Sequence, residues 1–247
     1  MIVNSPLVNA PPSNLAFDLA EAMRYLAERD ERLKELIAAV RPFAINTSDH
    51  ASPYEELVRA IVYQSISGKA ARTIFERIKA LGENGRPPVP EKMLKLSTAK
   101  LRKAGLSRAK VLSVKDLAKK AIEGIVPTHD EALKLSDAEL VERLDSVRGI
   151  GAWTVEMFLI FRLGRPDVLP VHDLGVKKGW AVTYGKRHIP KPQELLKFGE
   201  RWRPYRTVAS WYMWRAFERA GYKVTNKIRH RTTRKRPGAR KHETSQR

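Results

Sequence analysis

Two apolar-periodic stretches separated only by Gly149-Ile150-Gly151 constrain this chain more than any other feature. The first carries Leu140, Val141, Leu144 and Val147; the second starts at once, with Trp153, Met157, Phe158 and Phe161. Apolar residues at that spacing line one face of a helix. A reversal so short needs glycine, either for a positive φ or for backbone pressed against a neighbour. The first N–H groups of the second helix then have no intrahelical partner, and the helix dipole is positive there. A phosphate fits such a place. About twenty residues later comes Asp173, flanked by Val171, Leu174 and Val176 in a chain short of acids.

Charge narrows the partner. The 247 residues hold 47 Lys and Arg against 27 Asp and Glu, a formal charge of +20, and the pI is near 10.3. That balance favours a polyanion, with nucleic acid the first candidate. There is no cysteine, which excludes disulfides, Cys-ligated zinc and an iron–sulfur cluster. No apolar run approaches the roughly 18 residues of a membrane span. The N-terminal MIVNSPLVNAPPSN lacks the basic and apolar regions of a secretory signal. The chain reads as a soluble intracellular monomer without a membrane partner.

Residues 1–14 read as an irregular leader, too short for an added N-terminal β domain, and Leu15 to Val40 as two helices broken near Asp30. Ser52-Pro53 opens a helix with Glu55 and Glu56 in its first turn and Leu57, Val58, Ile61 and Val62 as its buried stripe. It ends at Tyr63-Gln64-Ser65-Ile66-Ser67, where Ser67 caps the next helix. After a surface loop at Gly82–Pro90 and short helices near Met93 and Leu101, a longer helix spans Ser107 to Ile122. Its expected exposed face carries Arg108, Lys110, Lys115, Lys119 and Lys120, suited to solvent or to phosphate. Ser136-x-x-Glu139 is a capping box that starts the first hairpin helix. Further helices follow Asp173 and Pro192, and the last long one holds Val208, Trp211, Tyr212, Trp214 and Phe217. Residues 222–247 contain ten Lys or Arg and one acid, Glu243, and from 226 onward read as a basic disordered tail that strengthens salt-sensitive DNA binding.

Four segments together resemble the helix-hairpin-helix DNA glycosylase superfamily. They are Val147-Arg148-Gly149-Ile150-Gly151, the loop Gly164-Arg165-Pro166 to Leu169-Pro170 leading to Asp173, the phrase IVYQSISGKAARTIFERI, and the closing GERWRPYRTVASWYMWRAFE. Within the superfamily the chain is most similar to the DNA-3-methyladenine glycosylase II branch. The resemblance implies an all-α fold in which two helical subdomains flank an active-site cleft. Both belong to one domain, 1–225: a central subdomain over about 50–165, with the hairpin at 140–163, and a second built from 15–48 and 166–221.

The implied activity is monofunctional hydrolysis of the N-glycosidic bond of alkylated purines, 3-methyladenine and 7-methylguanine, in damaged double-stranded DNA. Such an enzyme acts in base excision repair, in the cytoplasm or nucleoid of a bacterium or archaeon and in the nucleus of a eukaryote. The resemblance makes Asp173 the catalytic carboxylate, against the plainer reading of Asp173 as a helix N-cap. Trp153 and Trp214, with Gln64, Tyr63 and Met157, are then the candidate base pocket. Ser65 and Ile66 lie in the turn that enters the minor groove in relatives. Gly149, Ile150 and Gly151 meet backbone phosphate, as do Lys177 and Lys178. A structural Na⁺ or K⁺ falls on the backbone carbonyls of Asp145, Val147 and Ile150, and no other cofactor is implied. Bifunctional relatives carry a Schiff-base lysine two residues after the second hairpin glycine; here that residue is Trp153, so no strand cleavage is expected. Two other readings remain open at this level: excision of a neutral lesion such as uracil, hypoxanthine or an oxidised purine, and a non-catalytic DNA-binding hairpin.

Overall fold

The computed structural model describes residues 15–40, 43–45, 51–225 and 229–230. The described residues form thirteen α-helices, a short 3-10 helix at Glu200–Trp202 and one two-residue strand pair. α1 (Leu19–Arg29) and α2 (Glu31–Ala39) meet at Asp30, which ends the first and caps the second by accepting a bond from Leu33 N. The same carboxylate is buried and accepts from Tyr184 Oη at 2.5 Å and Trp202 Nε1 at 3.2 Å, which ties the N-terminal pair to the C-terminal half.

α3 (Pro53–Tyr63) starts with the Ser52–Glu55 capping box, and α4 (Gly68–Lys79) is capped by Ser67. α5 (Pro90–Lys95), α6 (Thr98–Ala104) and α7 (Arg108–Ile122) follow. α8 (His129–Lys134) was not expected from the apolar pattern, because it is too short to show a period; Thr128 and Glu131 nevertheless form a capping box at its start. α9 (Asp137–Asp145), with the Ser136–Glu139 box, and α10 (Ala152–Phe161) form the hairpin. α11 (Leu174–Thr183), α12 (Pro192–Gly199) and α13 (Arg206–Thr225) complete the chain, the last kinked at Gly221.

α7 is the strut of the α3–α10 group, packed on α3, α5 and α6. α11 lies along α13, and α1 and α2 close against them. A single apolar core runs through both groups, from Leu26 and Leu33 through Leu57, Ile61 and Leu117 to Trp202 and Trp211.

Two expectations need correction. The cationic face of α7 is not simply solvated, since Lys110, Lys115 and Lys120 are only partly exposed and reach backbone carbonyls. Lys110 Nζ donates to Val62 O and Gln64 O, both at 2.7 Å, Lys115 Nζ to Leu94 O at 3.0 Å, and Lys120 Nζ to Ser146 O. A lysine stem is long enough to lie along apolar surface and present its ammonium to a helix C-terminus. Second, Arg229 and His230, assigned from sequence to an unstructured tail, pair in parallel with His188 and Ile189. The rest of that tail, and the 1–14 leader, lie outside the described residues.

Candidate active site

The hairpin turn owes its shape to one of its two glycines. Gly149 has φ +79°, and a Cβ there would lie 2.6 Å from Ser113 Oγ on α7. Side chains are excluded on both counts. Around it, Arg148 N donates to Asp116 Oδ2 at 2.8 Å, and Asp116 pairs with Lys120 at 3.2 Å. Gln64 Nε2 donates to Gly149 O at 2.8 Å. The hairpin is thus fastened to α7 on one side and to the α3–α4 turn on the other.

Gly151 is different. Its φ of −112° and ψ of 175° are ordinary extended values, and a Cβ would meet nothing within 4 Å. Nothing inside the protein calls for glycine there. It is exposed at the N-terminus of α10, with no side chain capping the helix, so the open backbone suits a ligand that must come close.

From α10 the chain runs through an irregular loop that is held firmly. Arg165 Nη2 donates to Leu135 O at 2.6 Å and Ala132 O at 3.0 Å, closing the end of α8. Asp167 receives Arg206 at 2.6 Å and Arg203 at 2.6 Å. Thr207 Oγ1 donates to Arg165 O at 2.6 Å and accepts from Val168 N at 3.0 Å. The loop is therefore clamped to the start of α13 before it delivers Asp173 to the start of α11.

Three N–H groups from three helices converge on the Asp173 carboxylate. Val176 N, one turn into α11, donates to Oδ1 at 2.8 Å, which is the N-cap bond. Trp214 Nε1 of α13 donates to the same oxygen at 2.8 Å. Trp153 Nε1 of α10 donates to Oδ2 at 2.9 Å. The carboxylate is held by one backbone and two indole donors and is only partly exposed, a preorganised group. Trp214 is itself held, stacked on Phe161 with centroids 5.6 Å apart.

This meeting depends on the glycines of α11. A Cβ on Gly179 would fall 1.8 Å from Met213 O, so α11 and α13 touch backbone to backbone at that point. At Gly175 a Cβ would lie 2.7 Å from Trp214 Cδ1 and 3.1 Å from Asp173 Oδ1. Gly175 leaves the space in which the indole reaches the carboxylate.

A Gly-x-Gly hairpin, a clamped loop and an indole-held aspartate at the next helix start now stand in one structure, and a model of the HhH-GPD superfamily of base excision DNA repair proteins matches residues 58–204. The chain belongs to this superfamily. It is 40% identical over 205 residues to DNA-3-methyladenine glycosylase 1 of Schizosaccharomyces pombe, covering 83% of this chain and 90% of that one. A second protein of that yeast, the alkylbase DNA glycosidase-like protein mag2, is 30% identical over 198 residues, covering 80% of this chain and 93% of that one. Among solved structures, the S. pombe 3-methyladenine DNA glycosylase in complex with abasic DNA superimposes with a TM-score of 0.73 at 41% identity, over 79% of this chain and 95% of that one. A DNA-3-methyladenine glycosidase from Bacillus halodurans gives 0.73 at 31% identity, over 83% and 94%.

Of the residues singled out in this superfamily member from sequence, Asp173, Trp153 and Trp214 meet directly, and Met157 lies one turn beyond Trp153, partly buried against the core. Gln64 has a part that the sequence did not show, since its amide also reaches Thr154 Oγ1 at 3.4 Å and joins the α3–α4 turn to the hairpin. Tyr63 packs edge-on against Phe75 at 6.3 Å and beneath Arg59. Ser65 is exposed at φ +58°, a strained value for a residue with a Cβ, and Ile66 beside it is half-buried. Lys178 lies over the Phe217 ring at 5.4 Å, and Lys177 is partly exposed on the same helix. His172, next to Asp173, is exposed.

The sequence reading passed over one group. Glu156, on α10 one turn after Trp153, is partly buried, and its Oε2 is sealed from solvent without a hydrogen-bond partner. Burial, helped by the charge of Asp173, pushes its carboxyl up to about 7. The signal was present: Glu156 is the only charged residue in the α10 sequence AWTVEMFLIF.

Proposed function

We propose that this chain is a monofunctional DNA glycosylase that removes alkylated purines, such as 3-methyladenine and 7-methylguanine, from double-stranded DNA by hydrolysing the N-glycosidic bond. The observation that carries this reading is the Asp173 carboxylate fixed by Trp153, Trp214 and Val176. The yeast and bacterial relatives, named as 3-methyladenine glycosylases, and the abasic DNA in one of their structures support it.

A base inside a duplex is out of reach, so the nucleotide must rotate out of the stack. N-alkylation gives the base a positive charge, which an indole face attracts by about 0.5–2 kcal/mol. That charge already weakens the glycosidic bond, so little acid catalysis is needed. As the base leaves, positive charge builds on the sugar. A carboxylate fixed nearby stabilises this oxocarbenium-like state or orients water toward C1′. Trp153 occupies the position where a lysine would attack the sugar, and it has no nucleophilic amine. The abasic strand is left intact.

The hairpin supplies position rather than sequence readout. Phosphate approaches the free helix start at Gly151, and the turn at Ser65 and Ile66 enters the minor groove opposite. A Na⁺ or K⁺ ion on the carbonyls of Asp145, Val147 and Ile150 would join the hairpin to phosphate. Of those carbonyls, Asp145 O and Ile150 O meet no described backbone N–H, while Val147 O already accepts from Ile150 N at 3.0 Å and would have to share its second lone pair. No chemical step requires that ion.

The test is base release from methylated duplex DNA by the wild type and by Asp173→Asn. Asparagine keeps an acceptor for Val176 N but turns an N–H toward one of the indole donors. We expect methylpurines and heat-labile abasic sites from the wild type, no nicking before heating, and a rate lower by at least about a thousandfold in the variant. Release confined to uracil, hypoxanthine or 8-oxoguanine would move the substrate. Undiminished release by the variant would remove Asp173 from the mechanism.

A further inference from the structure

Glu156 faces an open cleft of about 440 Å³ lined by Asp137, Glu142, Asp167, Val168, Leu169 and Arg206, among others. The charges around it come from every wall. α9 contributes Asp137 and Glu142, the clamped loop Asp167, α13 Arg206, and the start of α11 Asp173. The cations there are already engaged: Arg165 pairs with Asp137 at 3.4 Å, and Arg206 with Asp167 at 2.6 Å. Glu156 forms no ion pair with any described residue. In a chain of charge +20, the neighbourhood of Glu156 is rich in carboxylates, and Asp173 is close enough to be felt there.

We propose that Glu156 is a specificity-determining residue of the glycosylase site, a second carboxylate whose field, added to that of Asp173, favours positively charged bases over neutral ones. This rests on the proposed role of Asp173. Three observations converge. Glu156 lies one helical turn from Trp153, the residue that holds Asp173. One of its oxygens is buried without a hydrogen-bond partner among the described residues, an exception that calls for an explanation. Leu159 and Leu169, both buried and lining the same cleft, give it an apolar wall that lets its charge act over distance. A cationic base gains from that charge directly, whereas a neutral lesion gains only through the developing sugar cation, which both reactions share. Because burial, helped by the charge of Asp173, raises its ionisation to about 7, Glu156 is mostly uncharged in mild acid and charged above neutral pH. Selectivity for cationic bases therefore rises with pH.

The experiment is single-turnover excision by the wild type, Glu156→Gln and Asp173→Asn, from pH 5.5 to 8.5, on duplexes with 3-methyladenine or with neutral hypoxanthine. Glutamine preserves shape, and thermal melting with abasic-duplex binding checks that the fold is kept. The ratio of wild type to Glu156→Gln at each pH cancels the titration of the substrate itself. On the cationic lesion we expect that ratio to climb from near one at pH 5.5 to roughly tenfold at pH 8.5, the order of effect of one unit charge in an effective dielectric near 20. On hypoxanthine it climbs less, and an equal climb on both lesions overturns the specificity claim. Superimposed profiles for wild type and Glu156→Gln, with Asp173→Asn inactive, overturn this inference and leave the catalytic reading standing. Full activity in Asp173→Asn overturns both.

Discussion

Gly175→Ala isolates the indole clamp from the rest of the molecule. The added methyl would lie 2.7 Å from Trp214 Cδ1 and 3.1 Å from both Trp214 Nε1 and Asp173 Oδ1. The first distance is too short for any contact between carbons. The ring cannot simply slide away, because Phe161 stacks on one side of it. The indole must tilt, and its 2.8 Å bond to Asp173 lengthens or breaks. A hydrogen bond to a charged group is worth about 1.5–3 kcal/mol. If that bond matters equally to the transition state, the rate of base release falls by roughly 10- to 150-fold. The backbone argues the other way for stability: Gly175 is in helical conformation, and alanine is a better helix former by up to about 1 kcal/mol. The expected signature is a large loss of rate with a melting temperature close to wild type.

The assay is single-turnover release of a methylated purine, alongside thermal unfolding by circular dichroism. A double-mutant cycle completes it. Trp214→Phe lacks the N–H and is smaller, so adding Gly175→Ala to it should cost little more than Trp214→Phe alone. Wild-type turnover by Gly175→Ala would refute the argument. So would the same fold-loss in the Trp214→Phe background, because the effect would then not pass through the indole.

The two hairpin glycines should separate cleanly. Gly149→Ala, strained in φ and in contact with Ser113, should lower stability by about 1–3 kcal/mol; Gly151→Ala should leave unfolding unchanged and weaken binding to undamaged duplex, read by fluorescence anisotropy at fixed salt. Lys110→Met leaves the carbonyls of Val62 and Gln64 without their donor, so it should destabilise by about 1–3 kcal/mol and speed hydrogen exchange in the Tyr63–Ser67 turn. For Glu156 the sign follows from its raised pKa. The folded form holds its proton more tightly than the unfolded chain, so the stability it contributes is present below the ordinary glutamate value and is lost as pH rises through about 7. Glu156→Gln should therefore gain stability relative to wild type between pH 5 and pH 8, by up to roughly 3 kcal/mol in denaturant titrations, and an unchanged difference across that range would contradict the buried-carboxyl picture.

The sequence yielded those parts of the site whose cause is local. The hairpin, the two-helix break at Asp30, the Ser52 and Ser136 capping boxes and the helix start at Asp173 each follow from a few neighbouring residues and are all present. What it could not yield were interactions decided by a partner far along the chain. Gly175 and Gly179 look like weak points in a helix until α13 is laid against them, some forty residues away. Lys110 looks like one more surface cation until the C-terminus of α3 is found beneath it. Gln64 looks like a base-pocket side chain, yet its amide holds the hairpin.

Asp173 shows why the two readings of it from sequence, helix cap and catalytic carboxylate, do not exclude one another. The cap bond from Val176 N takes one direction on Oδ1 and sets where the carboxyl group stands. The indole donors then set how it is turned, one on each oxygen. A carboxylate anchored by a rigid helix start moves less than one on a loop, so capping supplies the preorganisation that electrostatic stabilisation of a sugar cation needs. The same logic explains the unlike demands on the two hairpin glycines. Gly149 is fixed by α7 and belongs to the architecture, while Gly151, with open space where its side chain would be, is left to the phosphate contact proposed for it.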